Sequence, residues 1–276
     1  MVQLDSRFVV LESRKKDFLV MARGRGIPIS PEICCMNEFE SPQIFDESFV
    51  TDQSTVSRFI ANVFTWMVAG LVVTACASYY TVESGLISQL YNLETGGMSM
   101  IGWIVMLSPL GFILAMNMGF QRWSSTSLTL LFLAFSGIMG MSLSSVFLVY
   151  TMSSIAQVFV ITAATFAVMA VIGYTTSTDL TKFGSLLMMA LIGIIIASFV
   201  NWFIGSAQLD YIISIGGVLV FTGLIAYDTQ KLKRIGAGVE FGSETASKLA
   251  ILGATSLYLD FVNLFMFLLR LLGRRD

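Results

Sequence analysis

Residues 249–272 read LAILGATSLYLDFVNLFMFLLRLL, and this stretch decides the fold class. A helix needs about 20 mostly apolar residues to cross a bilayer core that is roughly 30 Å thick. The stretch is long enough to cross, and Asp260 lies near its middle. A helix on the surface of a soluble protein would carry a broad polar face, which this stretch lacks. It is therefore interpreted as a transmembrane helix.

Six further apolar segments precede it. The chain of 276 residues is 55% hydrophobic and only 12% charged, whereas soluble domains are about 25% charged. We predict an all-α polytopic membrane protein with seven transmembrane helices, which has the lipid bilayer as its surroundings. The predicted spans are Phe59–Tyr80, Met100–Phe120, Ser127–Tyr150, Ile155–Tyr174, Phe183–Ile204, Tyr211–Gln230 and Leu249–Leu272.

The first 56 residues have a different composition. They mix acidic and basic side chains, include Pro28, Pro31 and Pro42, and contain no long apolar run. The first residues also lack the apolar core of a signal peptide. We predict a largely flexible cytoplasmic tail over residues 1–56 and a membrane domain over residues 57–273.

Basic residues indicate the orientation of the spans. Arg122, Lys182 and the basic residues of 231–248 follow even-numbered predicted spans, whereas the links after the first, third and fifth spans have none. Lys and Arg are enriched in cytoplasmic links. This pattern predicts a cytoplasmic N-terminus, and the lack of a targeting signal favours a bacterial inner membrane.

The C-terminus conflicts with this pattern. Seven full crossings place Arg270, Arg274 and Arg275 on the outer side, against the usual charge distribution. A re-entrant seventh segment would return them to the cytoplasm. The length of residues 249–272 favours a full crossing.

The composition argues against several classes of function. Histidine is absent, which removes the commonest general base and metal ligand. Cys34, Cys35 and Cys76 fit no zinc-site spacing. A net charge of −2 offers no basic surface for nucleic acid. We expect no cofactor.

Two carboxylates are the candidate functional groups. Asp228 lies near the end of the sixth predicted span and Asp260 lies within the seventh. Ionisable residues inside membrane segments are rare and are usually functional. Ser256, Asp260 and Asn263 share one helix face, so this stripe should line the bundle interior or a pore. The simpler alternatives are a protonated structural acid at Asp260 and an interfacial acid at Asp228.

The two acids meet only if the sixth span continues past Lys233 or the seventh begins late, near Gly253. Two neighbouring carboxylates in a low dielectric cannot both ionise cheaply, and they titrate as a unit. Deprotonation would create repulsion, or an oxygen site for a divalent cation such as Ca²⁺. Either outcome predicts a pH-sensitive gate at Asp228 and Asp260.

Two further readings concern the same acids. Arg122, at the end of the second span, is a candidate latch for Asp228, or else a residue that only sets the topology. Paired acids also suggest an intramembrane aspartyl protease, in which one acid activates water and the other protonates the leaving group. The sequence around Asp260 lacks the Gly-x-Gly-Asp of such proteases, so we expect no enzyme.

Several motifs resemble the Bax inhibitor-1 (transmembrane BAX inhibitor motif) family. They are Tyr227-Asp228-Thr229-Gln230, the SLYLDFVNLF of residues 256–265, and Leu268-Leu269-Arg270. Phe135-Ser136-Gly137 and the first span fit as well. The resemblance covers about residues 55–273, and the last fifty residues make it specific.

The resemblance implies a seven-helix bundle with the last helix in the centre. It also implies a leak pathway for cations, chiefly Ca²⁺, controlled by protonation of a diaspartyl pair, which maps to Asp228 and Asp260. The family's basic latch near the end of span two maps nearer to Met118 or Gly119 than to Arg122, about one turn away. Bacterial relatives include a modulator of a membrane-anchored protease. The alternative function is therefore a non-conducting regulatory protein that acts on such a protease or on a stress or cell-death response.

Overall fold

The computed structural model describes residues 53–92, 97–240 and 242–274. Residues 1–52 of the predicted tail lie outside the described residues. One antiparallel pair of short strands joins Tyr91 to Met98 and Asn92 to Gly97; all other regular structure in the described ranges is helical. The elements are α1 Gln53–Glu83, α2 Ile87–Leu90, β1 Tyr91–Asn92, β2 Gly97–Met98, α3 Met100–Gly119, α4 Ser125–Leu143, α5 Val146–Val149, α6 Met152–Thr175, α7 Thr181–Ile204, α8 Ala207–Ala237 and α9 Glu244–Leu272.

Seven helical segments of the described chain are long and apolar enough to cross a membrane. They are α1, α3, α4 continued by α5, α6, α7, α8 and α9. The prediction of an all-α polytopic membrane protein is confirmed. The third predicted span is not one uniform helix, because α4 ends at Leu143 and α5 adds a single turn.

Helix α9 is the centre of the bundle. It packs against α8, α1, α6 and α4, and 61% of its most apolar stretch is buried, against 6% for α7. The α9 side chains Leu257, Tyr258 and Leu264 are completely buried. The last helix is therefore central, as the family resemblance implies.

Polar residues immediately before the helices set where several of them begin. The side-chain oxygen of each accepts a hydrogen bond from the backbone amide three residues later, which satisfies one of the free donors of the first turn. Such caps precede α3, α4, α6, α8 and α9. The capping residues are Ser99, Ser124, Thr151, Ser206 and Ser243.

Helix α8 is longer than the sequence predicts. The predicted sixth span ends at Gln230, whereas α8 continues to Ala237. Its polar end residues find partners outside the helix: Gln230 Nε2 donates to the Thr178 carbonyl over 2.8 Å, and Lys233 Nζ donates to the Tyr174 carbonyl over 2.8 Å. A hydropathy boundary cannot detect such contacts, so the predicted end was wrong by two turns.

The C-terminal end of α9 lies beside the start of α8 and of α6. Arg270 forms an ion pair with Asp210 at 3.5 Å, and the backbone amide of Arg274 donates to Ser154 Oγ over 2.9 Å. The 29 residues of α9 are continuous, and at about 1.5 Å per residue they exceed the thickness of a bilayer core. Helix α9 is therefore long and apolar enough for a full crossing.

Small residues allow α1 and α4 to pack closely. Ser136 is completely buried, and its carbonyl accepts a hydrogen bond from Thr74 Oγ1 over 2.9 Å. A Cβ added at Gly140 would lie 2.4 Å from the Thr74 carbonyl oxygen. Glycine is therefore required at position 140 for this approach of the two backbones.

Candidate functional site

Helices α8 and α9 form the antiparallel hairpin that carries both candidate acids. Gly253 lets the two helices approach, because a Cβ there would lie 2.4 Å from the Leu232 side chain. The extension of α8 past Lys233 moves Asp228 away from the helix end and level with the middle of α9. Asp228 is half-buried, whereas Asp260 is only 7% exposed. The structure thus brings the two predicted residues together.

The side chains of α8 and α9 interact directly at this point. Ser256 Oγ donates a hydrogen bond of 2.5 Å to Asp228 Oδ2. Ser256 and Asp260 are four residues apart on one face of α9, so Asp260 lies one helical turn from the position where Ser256 meets Asp228. Within the described residues, Asp260 Oδ2 is buried and has no hydrogen-bond partner.

Both acids line a cavity of about 750 Å³ between α3, α7, α8 and α9. Ser256 and Asn263 line the same cavity, so the polar stripe of α9 lines a single space, as the sequence predicts. Asn263 Nδ2 donates to the Leu259 carbonyl of its own helix, which leaves its amide oxygen available to the cavity.

A second cavity, of about 320 Å³, also contains Asp228. It lies towards the end of the bundle where α8 ends and α9 begins, and Asn117 and Leu249 are among its lining residues. Asp228 and Ser256 line both cavities. Asp228 therefore borders a cavity at one end of the bundle and another at its side, whereas Asp260 borders only the second.

Arg122 is not part of this arrangement. It lies in the turn after α3, its side chain is exposed, and no ion pair in the described chain joins it to Asp228. Lys231 is the basic residue that lines both cavities beside Asp228. Sequence reasoning missed this position, although Lys231 follows Asp228 by three residues, a spacing that places the two on one helix face.

A second residue missed by sequence reasoning holds α9 in register. Tyr258 is completely buried, and its hydroxyl lies 2.6 Å from Thr74 Oγ1. Thr74 has only one hydroxyl proton, and the carbonyls of Gly70 and Ser136 both lie within its reach, so Tyr258 is the donor to Thr74. The sequence feature that could have indicated this role is an aromatic residue with a hydroxyl group two positions before Asp260.

The link between α6 and α7 is held to the end of α8. Leu180 donates its backbone amide to Gln230 Oε1 over 2.9 Å, and Arg234 forms an ion pair with Asp179. The pKa of the exposed Asp179 carboxyl is lowered, first by hydrogen bonds from Thr181 and then by Arg234. Asp179 therefore remains a carboxylate in mildly acidic solution, and this contact does not depend on pH there.

Comparison with known proteins shows the family to which the chain belongs. A family model described as "Bax1-I: Inhibitor of apoptosis-promoting Bax1" matches residues 56–276. The chain belongs to the Bax inhibitor-1 family. The family match includes α8, α9 and every side chain of the site described above. As a Bax inhibitor-1 family member, the protein is an integral membrane protein with several spans.

Three relatives illustrate the extent of the similarity. The inner membrane protein YbhL of Escherichia coli K12 is 42% identical over 230 residues, which are 83% of this chain and 97% of YbhL. A Borreliella burgdorferi protein is 43% identical over 219 residues, or 79% of this chain and 93% of its own length. The Rickettsia prowazekii protein RP147 is 42% identical over 220 residues, or 79% and 90%.

Proposed function

We propose that the protein is a pH-sensitive cation leak channel, with Ca²⁺ as a conducted ion, gated by Asp228 and Asp260. The observation that carries this proposal is that two carboxyl groups line one cavity inside an apolar helix bundle. Such groups are expensive at membrane depth and mark ion or proton pathways. The protein would act in a bacterial inner membrane, like the relative whose name states that location.

In this proposal, the protonation state of Asp228 and Asp260 controls whether the channel is closed or open. When the pair shares a proton, one carboxyl donates to the other and α8 stays against α9. When both ionise, two unit charges about 4 Å apart repel by about 4 kcal/mol at an effective dielectric of about 20. A change of that size shifts a two-state equilibrium by roughly a factor of 1,000. The ionised pair also presents the hard oxygen ligands that Ca²⁺ prefers.

In the proposed closed state, an apolar region separates the acidic cavity from one end of the bundle. A separate cavity of about 110 Å³ lies towards the end of the bundle where α4 meets α6, and Leu143, Ile155 and Phe261 help to line it. Its walls are almost entirely apolar, which excludes ions. In the proposed mechanism, loosening of α8 against α9 connects this space to the acidic cavity.

We also place the N-terminus in the cytoplasm. One end of the bundle holds Asp210 and Arg274, and the links between helices at that end contain no Lys or Arg. The opposite end carries Arg122 and Lys231. Cytoplasmic ends are the basic ones. Asp228 would then be reached from the cytoplasm through the 320 Å³ cavity.

Calcium release from liposomes tests the proposal. The purified protein should release Ca²⁺ from loaded vesicles in a pH-dependent manner. Asp228→Asn and Asp260→Asn should change the flux and flatten its pH profile, because neither variant can form the doubly charged state. Asp210→Asn is the matched control, since Asp210 is an acid of α8 that lies outside the cavity.

Two results would contradict the proposal. One is wild-type flux equal to that of protein-free vesicles; the other is unchanged flux in both site variants. The first result would leave the regulatory alternative, in which the protein modulates a membrane-bound protease without conducting ions.

A further inference from the structure

The 750 Å³ cavity opens sideways between α3 and α7. Three aliphatic side chains that line it are also exposed at the surface of these two spans: Leu110 (62%), Met188 (49%) and Ile195 (59%). They lie in the middle of segments long enough to cross the bilayer. The mouth of the cavity therefore faces the hydrocarbon region and not the aqueous phase.

Helices α3 and α7 touch each other at one end of this opening. The rings of Trp103 and Trp202 lie 5.9 Å apart and join the start of α3 to the end of α7. Away from this contact, α7 packs against α8 and α3 packs against α4. A gap bordered by apolar side chains remains between them, and it leads to the acids.

The inner wall is acidic and aromatic. Asp260 is only 7% exposed, and within the described part of the chain its Oδ2 has no hydrogen-bond partner. A buried carboxylate oxygen without a partner is costly unless something supplies a positive charge or a donor. Phe221 and Tyr227 line the same space, and aromatic rings attract alkylammonium groups.

We infer that this cavity binds a hydrophobic organic ammonium ion that enters from the bilayer. Apolar walls suit the alkyl groups, and the acidic pair suits the charge. A hydrated inorganic cation would gain nothing from a mouth lined by Leu110, Met188 and Ile195. Lys231, which lines the rim of the cavity, opposes the bound charge and so limits the affinity. The proposed ammonium site is the same cavity as that of the proposed channel, but ammonium binding does not require the protein to conduct ions.

Tetrabutylammonium is a suitable probe. Radiolabelled tetrabutylammonium would be titrated onto the full-length protein in lipid nanodiscs, with empty nanodiscs as the blank. We expect saturable binding, which Asp260→Asn weakens by about tenfold or more because one charge contact is lost. Lys231→Gln should tighten binding by a few-fold, since an opposing charge is removed.

A second pair of variants tests whether the ligand enters between α3 and α7. Ile195→Trp should fill the mouth and weaken binding by about tenfold or more, as a bulky side chain occupies the ligand's space. Ile192→Trp is the matched control, because Ile192 lies on the same helix, is 55% exposed and does not line the cavity. It should bind as the wild type does. Size-exclusion profiles identify variants that fail to fold.

Three outcomes overturn the inference: wild-type uptake equal to that of empty nanodiscs, wild-type affinity in folded Asp260→Asn, or wild-type affinity in Ile195→Trp. Binding without Ca²⁺ release would support the inference and contradict the channel. Release without binding would do the reverse, so the two proposals fail separately.

Discussion

At the scale of single residues, the site depends on side chains that neutralise or orient one another. Ser256 donates to Asp228, and in the proposed closed state a proton shared by the two acids removes one charge from a poorly solvated place. Asp260 is the more buried of the two acids. The same pair serves both the proposed gate and the proposed ammonium site, because each function needs a negative charge that the bundle does not itself compensate.

Tyr258→Phe tests the buried hydrogen bond that fixes the rotation of α9. Loss of the Tyr258 hydroxyl should destabilise the protein by about 1 kcal/mol, the usual net value of a neutral hydrogen bond. The cost stays modest because Thr74 keeps its own carbonyl partners. Thermal unfolding in detergent measures the effect. Tyr79→Phe, at a tyrosine that is 54% exposed, should leave the stability unchanged; an equal loss there would contradict the role of Tyr258.

At the scale of helices, close approaches at glycine determine which helices touch. Gly140 admits the backbone of α1, and Gly173 admits that of α8, since a Cβ there would lie 2.3 Å from the Ala226 carbonyl oxygen. Without a hydrophobic drive between helices inside a bilayer, such contacts supply much of the association. The glycine contacts of α7, at Gly184 and opposite Gly223, are both with α8. Only 6% of its most apolar stretch is buried, so α7 lies at the periphery and a lateral gap remains beside α3.

Gly140→Ala tests the contact between α1 and α4. The added methyl group meets backbone atoms of Thr74 at 2.4 Å, and overpacking of this kind costs about 1–3 kcal/mol. Gly193→Ala is the control, because nothing lies within 4 Å of the added Cβ. Alanine should there stabilise the helix by up to about 1 kcal/mol. Unfolding temperatures that fall equally in both variants would show that the close approach is unimportant.

At the scale of the whole molecule, seven full crossings predict that the two ends of α9 lie on opposite sides of the membrane. A periplasm-active reporter fused after Asp276 should be active, and the same reporter inserted in the link 238–243 should be inactive. The reason is that α9 is continuous and ends beside Asp210 and Ser154. A C-terminal reporter active only in the cytoplasm would contradict both the seven-span count and the proposed orientation.

The sequence by itself determined the fold class and the candidate acids. Seven apolar segments of crossing length suffice for the first, since backbone groups in a bilayer must pair within helices. The 256–260–263 stripe follows from helical spacing alone. These features depend on local composition and periodicity, which can be seen without knowing any contact between helices.

The tertiary structure alone decided whether the acids meet, which basic residue stands beside them and where the cavity opens. Helix α8 reaches Ala237 because Gln230 and Arg234 find partners in the link after α6, about fifty residues earlier in the chain. Helical spacing puts Lys231 on the same face of α8 as Asp228, but only the packing of α8 against α9 makes Lys231, and not Arg122, line the cavities. These properties arise from contacts between residues distant in sequence, and such contacts leave no trace in hydropathy or spacing.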